Sequence, residues 1–254
     1  MNTSSMTNNL SPKAQRIILI KHIVLGVARH WLLCINLLIA VWVGLPWLAP
    51  VMEHWGWKSA GQAIYFTYSF QCHQLPERSF FLFGMKGMYS LAEIQTAWQN
   101  TDNPFILRQF IGNPKTGWKV AWSDRMVSMY TSILFGGLLY GLVRKWWKPI
   151  HWQTFLLLLL PMALDGTTHA LSDLAGIGQG FRDTNIWLET LTQHALLMAF
   201  YQGDALGSFN SWMRLITGVL FGIGLVGFAF PYVNDSFADI VRRSEAAPVK
   251  GLEQ

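Results

Sequence analysis

Charge is what this 254-residue sequence has least of: Asp, Glu, Lys and Arg together make up 13% of it. A soluble globular chain carries about a quarter, so there is too little charge here to cover a water-facing surface. That shortage excludes a cytosolic enzyme, and the 52% hydrophobic content excludes a disordered regulator. Nowhere do Lys and Arg form the dense stripe that follows phosphates, so a formal charge of +5 does not imply a nucleic-acid partner. Cysteine is nearly absent: Cys34 and Cys72 are too few for a disulfide framework or a thiolate cage of their own. No internal repeat is present. What is abundant is apolar and aromatic, with 13 Trp and 16 Phe. The class is an integral membrane protein.

Four stretches are long and uncharged enough to cross a bilayer, which takes about 20 apolar residues. They run from Trp31 to Met52, from Met126 to Val143, from Ile150 to about Ala170, and from Leu215 to Asn234. The expected fold class is all-α: a polytopic bundle of about four transmembrane helices with interfacial or re-entrant helices and an outer cap. Basic flanks set the orientation. Lys13, Arg16, Lys21 and Arg29 precede the first span, Arg144, Lys145 and Lys148 join the second to the third, and Arg242, Arg243 and Lys250 follow the fourth. They share one side of a four-span chain, so the sequence predicts a bacterial inner-membrane protein with both termini cytoplasmic. Residues 1–30 form an N-terminal cytoplasmic segment, within which 13–28 read as an amphipathic helix on the membrane face, not as a cleavable signal. Residues 31–234 form one transmembrane domain with outer insertions at 85–122 and 171–210, and 235–254 a cytoplasmic tail. Residues 1–12 and 244–254 read as mobile polar tails. Residues 59–76 and 190–203 read as helices packed on the bundle without crossing it; a crossing at 59–76 would invert everything beyond it. The tryptophans, Trp42, Trp47 and Trp122 among them, lie near predicted span ends, where headgroups favour them. Gly136, Gly137, Gly141, Gly218, Gly222, Gly224 and Gly227 mark closely packed helix faces.

This topology gathers Cys72, His73, Glu77, Arg78, Asp124, Arg125, Asp165, His169 and Arg214 near the outer interface, where burying mixed charge is costly without a purpose. Asp165 and His169, spaced i and i+4, share a helix face and one ion or proton; a polar last helical turn explains them equally well. Cys72 or His73 with Asp165, His169 and Asp124 would suit zinc or another divalent transition metal, although neighbouring side chains such as Cys72 and His73 diverge outside a tight turn. Pro76 stops a helix. Glu77 and Arg78 are expected to pair with Arg125, Asp124 or Arg214 and fix a loop against the bundle. The functional alternative is an anion clamp of Arg78, Arg125 and Arg214, since planar guanidinium suits phosphate and carboxylate. The 85–122 insertion mixes a short amphipathic helix near 89–99 with turns at Asn103-Pro104 and Asn113-Pro114.

The run CHQLPERSFFLFG at 72–84 resembles the most recognisable signature of an uncharacterised bacterial and archaeal membrane-protein family, domain of unknown function 2085. Pro161 with Asp165-Gly166 and Thr168, and Arg214 with Thr217-Gly218 and Phe221-Gly222, are similar to two further elements of that family, and the resemblance covers about residues 60–230. The chain departs from it at Ser123-Asp124-Arg125-Met126, where the family has Cys-x-Arg-Cys, and at His169, where glutamine is commoner. Residues 85–115 and 186–209 are insertions relative to it. A family site built on those cysteines and Cys72 is either rebuilt here with Asp124 and His169 or abandoned. The resemblance implies an architecture and a site location but no reaction. The sequence therefore points to an accessory or assembly subunit of a larger membrane complex, with protein partners or copies of itself in the lipid bilayer. The alternative is a small membrane metalloenzyme acting on a lipid-borne or periplasmic substrate, with His169 or His73 as acid or base. A transporter ranks last, for want of an inverted repeat or mid-membrane charge.

Overall fold

The uncharged stretches become helices because backbone N–H and C=O groups in lipid must be satisfied within the segment. A computed structural model describes residues 11–246. It opens with α1 (Pro12–Arg29), which runs almost directly into α2 (Trp31–His54), and α3 (Lys58–Tyr68) turns back against α2. With 11 residues, α3 reaches about 16 Å at 1.5 Å per residue, too short to cross a bilayer. Helix α3 ends at Tyr68, well before Pro76, which instead opens a 3₁₀ turn, Pro76–Arg78; the expected role of Pro76 as a helix stop is corrected.

The cap contains a sheet that the all-α expectation lacked. Strands β1 (Ser79–Leu82), β2 (Gly112–Asn113) and β3 (Gly117–Ser123) pair antiparallel in the order β1-β3-β2, with Ser79 opposite Ser123 and Leu82 opposite Trp118. Two short helices lie between β1 and β2: α4 (Leu91–Ala97), started by a Ser90–Glu93 capping box, and α5 (Pro104–Leu107), capped by Asn103. Strand β3 hides from a pattern search because six of its seven residues are buried and alternation is lost. Its one charged residue, Lys119, is wholly buried, with Nζ donating to the carbonyls of Gln74 at 2.7 Å and Arg108 at 2.6 Å. Gly117 (φ +71°) makes the tight entry into β3, and a Cβ there would lie 2.1 Å from the Leu82 carbonyl oxygen.

Strand β3 passes at Ser123 straight into α6 (Asp124–Val143); α7 (Trp152–Asp173) returns, and three short helices follow, α8 (Phe181–Thr184), α9 (Ile186–Leu191) and α10 (Met198–Tyr201). Residues 190–203 are thus not one packed helix: the chain breaks after α9 in a turn where Gln193 and His194 take positive φ. Last comes α11 (Phe209–Ala246), whose 38 residues extend the fourth span at both ends. Residues 235–246 of the expected tail are helix, as is residue 12 at the other end; 1–10 and 247–254 lie outside the described residues.

Helices α2, α6, α7 and α11 are each long and apolar enough to cross a membrane. Their outward faces remain exposed at Leu37, Leu38, Leu142, Leu157 and Ile223, a surface matched to lipid tails. Inward, α11 is the axis on which α6 and α7 pack, while α2 holds α6, α3 and β3. Trp42 and Trp122 are not interfacial anchors: they pack in the core around Tyr68, with ring centroids 4.8 and 5.2 Å from it. Trp55, Trp57, Trp146 and Trp152 do lie exposed near helix ends.

The closest helix contact uses two glycines. A Cβ on Gly218 would sit 2.1 Å from Ser128 Oγ, and one on Gly222 1.9 Å from Ser132 Oγ, so α11 meets α6 backbone to side chain, the small-residue packing that lipid favours. Gly222→Leu should lower the unfolding temperature in detergent by an amount equivalent to about 1–3 kcal/mol. Gly44→Ala, inside α2 at a position with open space around it, should not lower it and should raise it by the equivalent of up to about 1 kcal/mol.

Candidate functional site

Helix ends place the charges. Asp124 and Arg125 begin α6, Asp165, His169 and Asp173 occupy the last turns of α7, Arg214 lies in the second turn of α11, and Arg78 ends the 3₁₀ turn. All meet at one end of the bundle. Arg214 grips Asp124 with two bonds, Nε to Oδ1 at 2.7 Å and Nη2 to Oδ2 at 2.9 Å, and reaches Asp204 Oδ1 through Nη1 at 2.5 Å. Arg78 donates from Nε to Asp204 at 2.7 Å and as a two-pronged fork to Asp173, both contacts at 2.7 Å. Asp165 accepts from Arg125 at 2.8 Å and Arg182 at 2.7 Å. Four carboxylates thus balance four guanidiniums, in the forked geometry that such pairs prefer.

His169 sits at the centre. Its Nδ1 lies 3.0 Å from the Asp165 carbonyl oxygen, 3.4 Å from Asp165 Oδ1 and 3.5 Å from Arg125 Nη2. Nε2 lies 3.4 Å from Arg214 Nη1 and 3.6 Å from Asp204 Oδ1. The i, i+4 pair does share a helix face, as the spacing implies. Burial by itself would raise the Asp204 pKa, but the charges of Arg78 and Arg214 outweigh it and hold that carboxyl well below the usual range.

Two expected pairings are corrected. Arg78 takes Asp173 and Asp204 rather than Asp124, because segment 171–210 folds back over the helix ends. Glu77 pairs with none of Arg125, Arg214 or Asp124; it is buried, and among the described residues neither carboxylate oxygen has a hydrogen-bond partner. Burial raises its pKa to about 7, against the lowering charge of Arg78. Three members escaped sequence reasoning: Arg182, Asp173 and Asp204 lie in the insertion or at its edge, where they registered only as loop charge.

A cavity of about 260 Å³ opens beside this network, lined by Cys72, His73, Arg78, Arg125, His169, Asp173 and Arg214 among others. Asp124 and Asp165 stand behind its wall. The 72–74 turn splits the dipeptide, as adjacency implies. Cys72 is buried, its sulfur accepting the backbone N–H groups of Gln74 and Ser123 at 3.4 Å each, while His73 exposes its ring to the cavity. Gln74 takes a positive φ of 54° and its amide donates to Tyr65 and Ala121 carbonyls at 2.8 and 3.1 Å, which holds the turn. Among the described residues no three His, Cys, Asp or Glu side chains stand together as a metal group. Arg125 is only half used: Nη2 binds Asp165, while Nε is buried without a partner. Burial among the cavity walls, then the charge of Arg78, lower the His73 pKa to about 4.

Two measurements check this electrostatic picture. Asp124→Asn and Arg214→Gln should each cost about 3–5 kcal/mol in unfolding free energy, because each strands a buried charge, and the double variant should cost clearly less than their sum. For Glu77, whose folded pKa is raised, stability is fully present below about pH 4.5 and falls as pH rises to about 7. Thermal unfolding of Glu77→Gln should therefore exceed that of the parent by a margin growing from pH 5 to pH 7, by roughly 2–3 kcal/mol in total.

With that geometry established, comparison with known proteins adds a family. Residues 114–228 match a family described as a predicted membrane protein, DUF2085. This stretch holds β3, α6, α7, most of α11's membrane-crossing part and every member of the network except Arg78; it begins after the 72–84 run. An uncharacterised protein of Methanocaldococcus jannaschii is 28% identical over 144 residues, covering 54% of this chain and 68% of that one. No solved structure matches. The resemblance read from the sequence is shared by the part of the chain that carries the charge network: the protein is similar to the predicted membrane proteins of DUF2085.

Proposed function

We propose that this protein is an accessory subunit of a membrane complex that holds a small anionic group, phosphate or carboxylate, in the cavity beside its charge network. The observation that carries this reading is Arg125, a partly buried guanidinium whose Nε has no partner among the described residues, next to the ring of His73 in a cavity also walled by Arg78 and Arg214. Desolvation lowers the His73 pKa most, and the charges of Arg78, Arg125 and Arg214 lower it further against the raising charge of Asp173. A binding role is favoured over catalysis because Asp124, Asp165, Asp173 and Asp204 are all claimed by arginines. A subunit role is supported by the cap, where Met85 and Phe105 are 92% and 72% exposed outside any spanning helix. The basic flanks argue for a cytoplasmic side at the other end: Arg29, Arg144, Lys145 and Arg242, from all three clusters, line one cleft there. The membrane in question is then the bacterial inner membrane, with both termini cytoplasmic.

A divalent metal such as zinc at Cys72, His73, Asp124, Asp165 and His169 is the competing reading, motivated by Cys72, His73 and His169 sharing one cavity. It would require the ion to displace arginines from both carboxylates.

Titration of detergent-purified protein with inorganic phosphate and acetate tests the proposal. Binding should raise the His73 pKa, read by ring NMR shifts, since an anion favours the imidazolium. Arg125→Gln should weaken binding about 10–100-fold, the loss of one charge-assisted bond. No shift with either anion sinks the anion reading. One equivalent of metal, lost in His169→Ala, would replace it with the metal centre.

A further inference from the structure

The other end of the bundle carries a second site, independent of the first. Where the α1–α2 junction, the end of α6 and the emergent part of α11 meet, a cleft of about 510 Å³ opens, lined by Arg29, Trp31, Arg144, Lys145, Asn234 and Arg242 among others. Two nearby acids are taken: Glu245 pairs with Arg29 at 2.9 Å and Asp239 with Arg242, while Asp235 lies near Tyr140. Neither Arg144 nor Lys145 has a side-chain partner among the described residues, and both are exposed. Arg144 caps α6, with its backbone N–H on the Tyr140 carbonyl at 2.8 Å, so its charge sits over the negative end of that helix.

Depth identifies what can reach these cations. The cleft lies at the start of α2 and the end of α6, where two membrane-length apolar helices stop. A turn or less inward, Leu33 and Leu142 are 59% and 76% exposed, as lipid-facing residues are. Trp31 closes the cleft from below, buried and stacked on Phe237 with ring centroids 5.9 Å apart. Unpaired cations at headgroup depth, above lipid-facing leucines, match a negatively charged phosphate with acyl chains beneath it. We propose that this cleft binds the phosphate headgroup of an anionic phospholipid from the adjoining leaflet, with Arg144 and Lys145 as its principal contacts.

The test uses full-length protein, delipidated in neutral detergent. Native mass spectrometry and thermal unfolding are run with phosphatidylglycerol, phosphatidylcholine or inorganic phosphate. Phosphatidylglycerol should be retained, and should stabilise, at concentrations at least tenfold below phosphatidylcholine. The Arg144→Gln, Lys145→Gln double variant should lose about tenfold in that binding while unfolding like the parent without lipid, and Lys148→Ala, outside the cleft, should bind normally. Equal binding of the two lipids, or full retention in the double variant, overturns the proposal. Stabilisation by inorganic phosphate alone to the same extent overturns the lipid as its source. Should the double variant unfold early, Lys145→Gln alone, an exposed single change, carries the comparison.

Discussion

The Arg214–Asp124 fork is the contact on which the rest of the polar end depends. Both side chains are all but inaccessible, 2% and 0% exposed, and an ion taken so far from water is tolerated only with its partner and further hydrogen bonds in place. Those further bonds are what assemble the site. Arg214 recruits Asp204, Asp204 recruits Arg78, and Arg78 takes Asp173 at the end of α7. A chain of obligatory pairings thus ties α6, α11, the 3₁₀ turn and α7 to one another, and the cavity is the space left beside them.

The network also explains how polar loops can lie against membrane-spanning helices. Segment 174–208 contributes Arg182, Asp204 and Asn185; Arg182 bonds Asp165, and the Asn185 amide bridges the carbonyls of Arg182 and Tyr201 at 2.6 and 2.8 Å. These bonds satisfy buried polar groups of the irregular segment where it meets the helix ends. The cap uses the opposite device. Its sheet and short helices bury Leu75, Phe81, Tyr89, Ile94, Leu107 and Phe110 in a core of their own, so the ordinary hydrophobic effect organises the water-facing part.

The spans were legible in the sequence because lipid punishes charge: the gaps between Arg29 and Glu53, Arg125 and Arg144, and Arg214 and Asp235 bracket three of the four. The site was legible by membership more than by pairing. Arg78, Asp124, Arg125, Asp165, His169 and Arg214 are charges at predicted helix ends on one side, and they do converge. Their partners were hidden because Asp204 and Arg182 reach the site through folded-back loop, and no periodicity encodes that return. Glu77 was misjudged for a related reason: its neighbour Arg78 faces the network while Glu77 itself points into the cap. Strand β3 was invisible because a strand buried on both faces carries no alternation, and its lysine is satisfied by carbonyls rather than water.

The long helix α11 has a mechanical corollary. Arg214 and Arg242 sit 28 positions apart on one helix, a rod with Pro231 inside it, about 42 Å at 1.5 Å per residue. A slide of that rod along its axis would therefore be felt at both membrane surfaces at once, loosening the arginine fork on one side while moving the basic groove on the other.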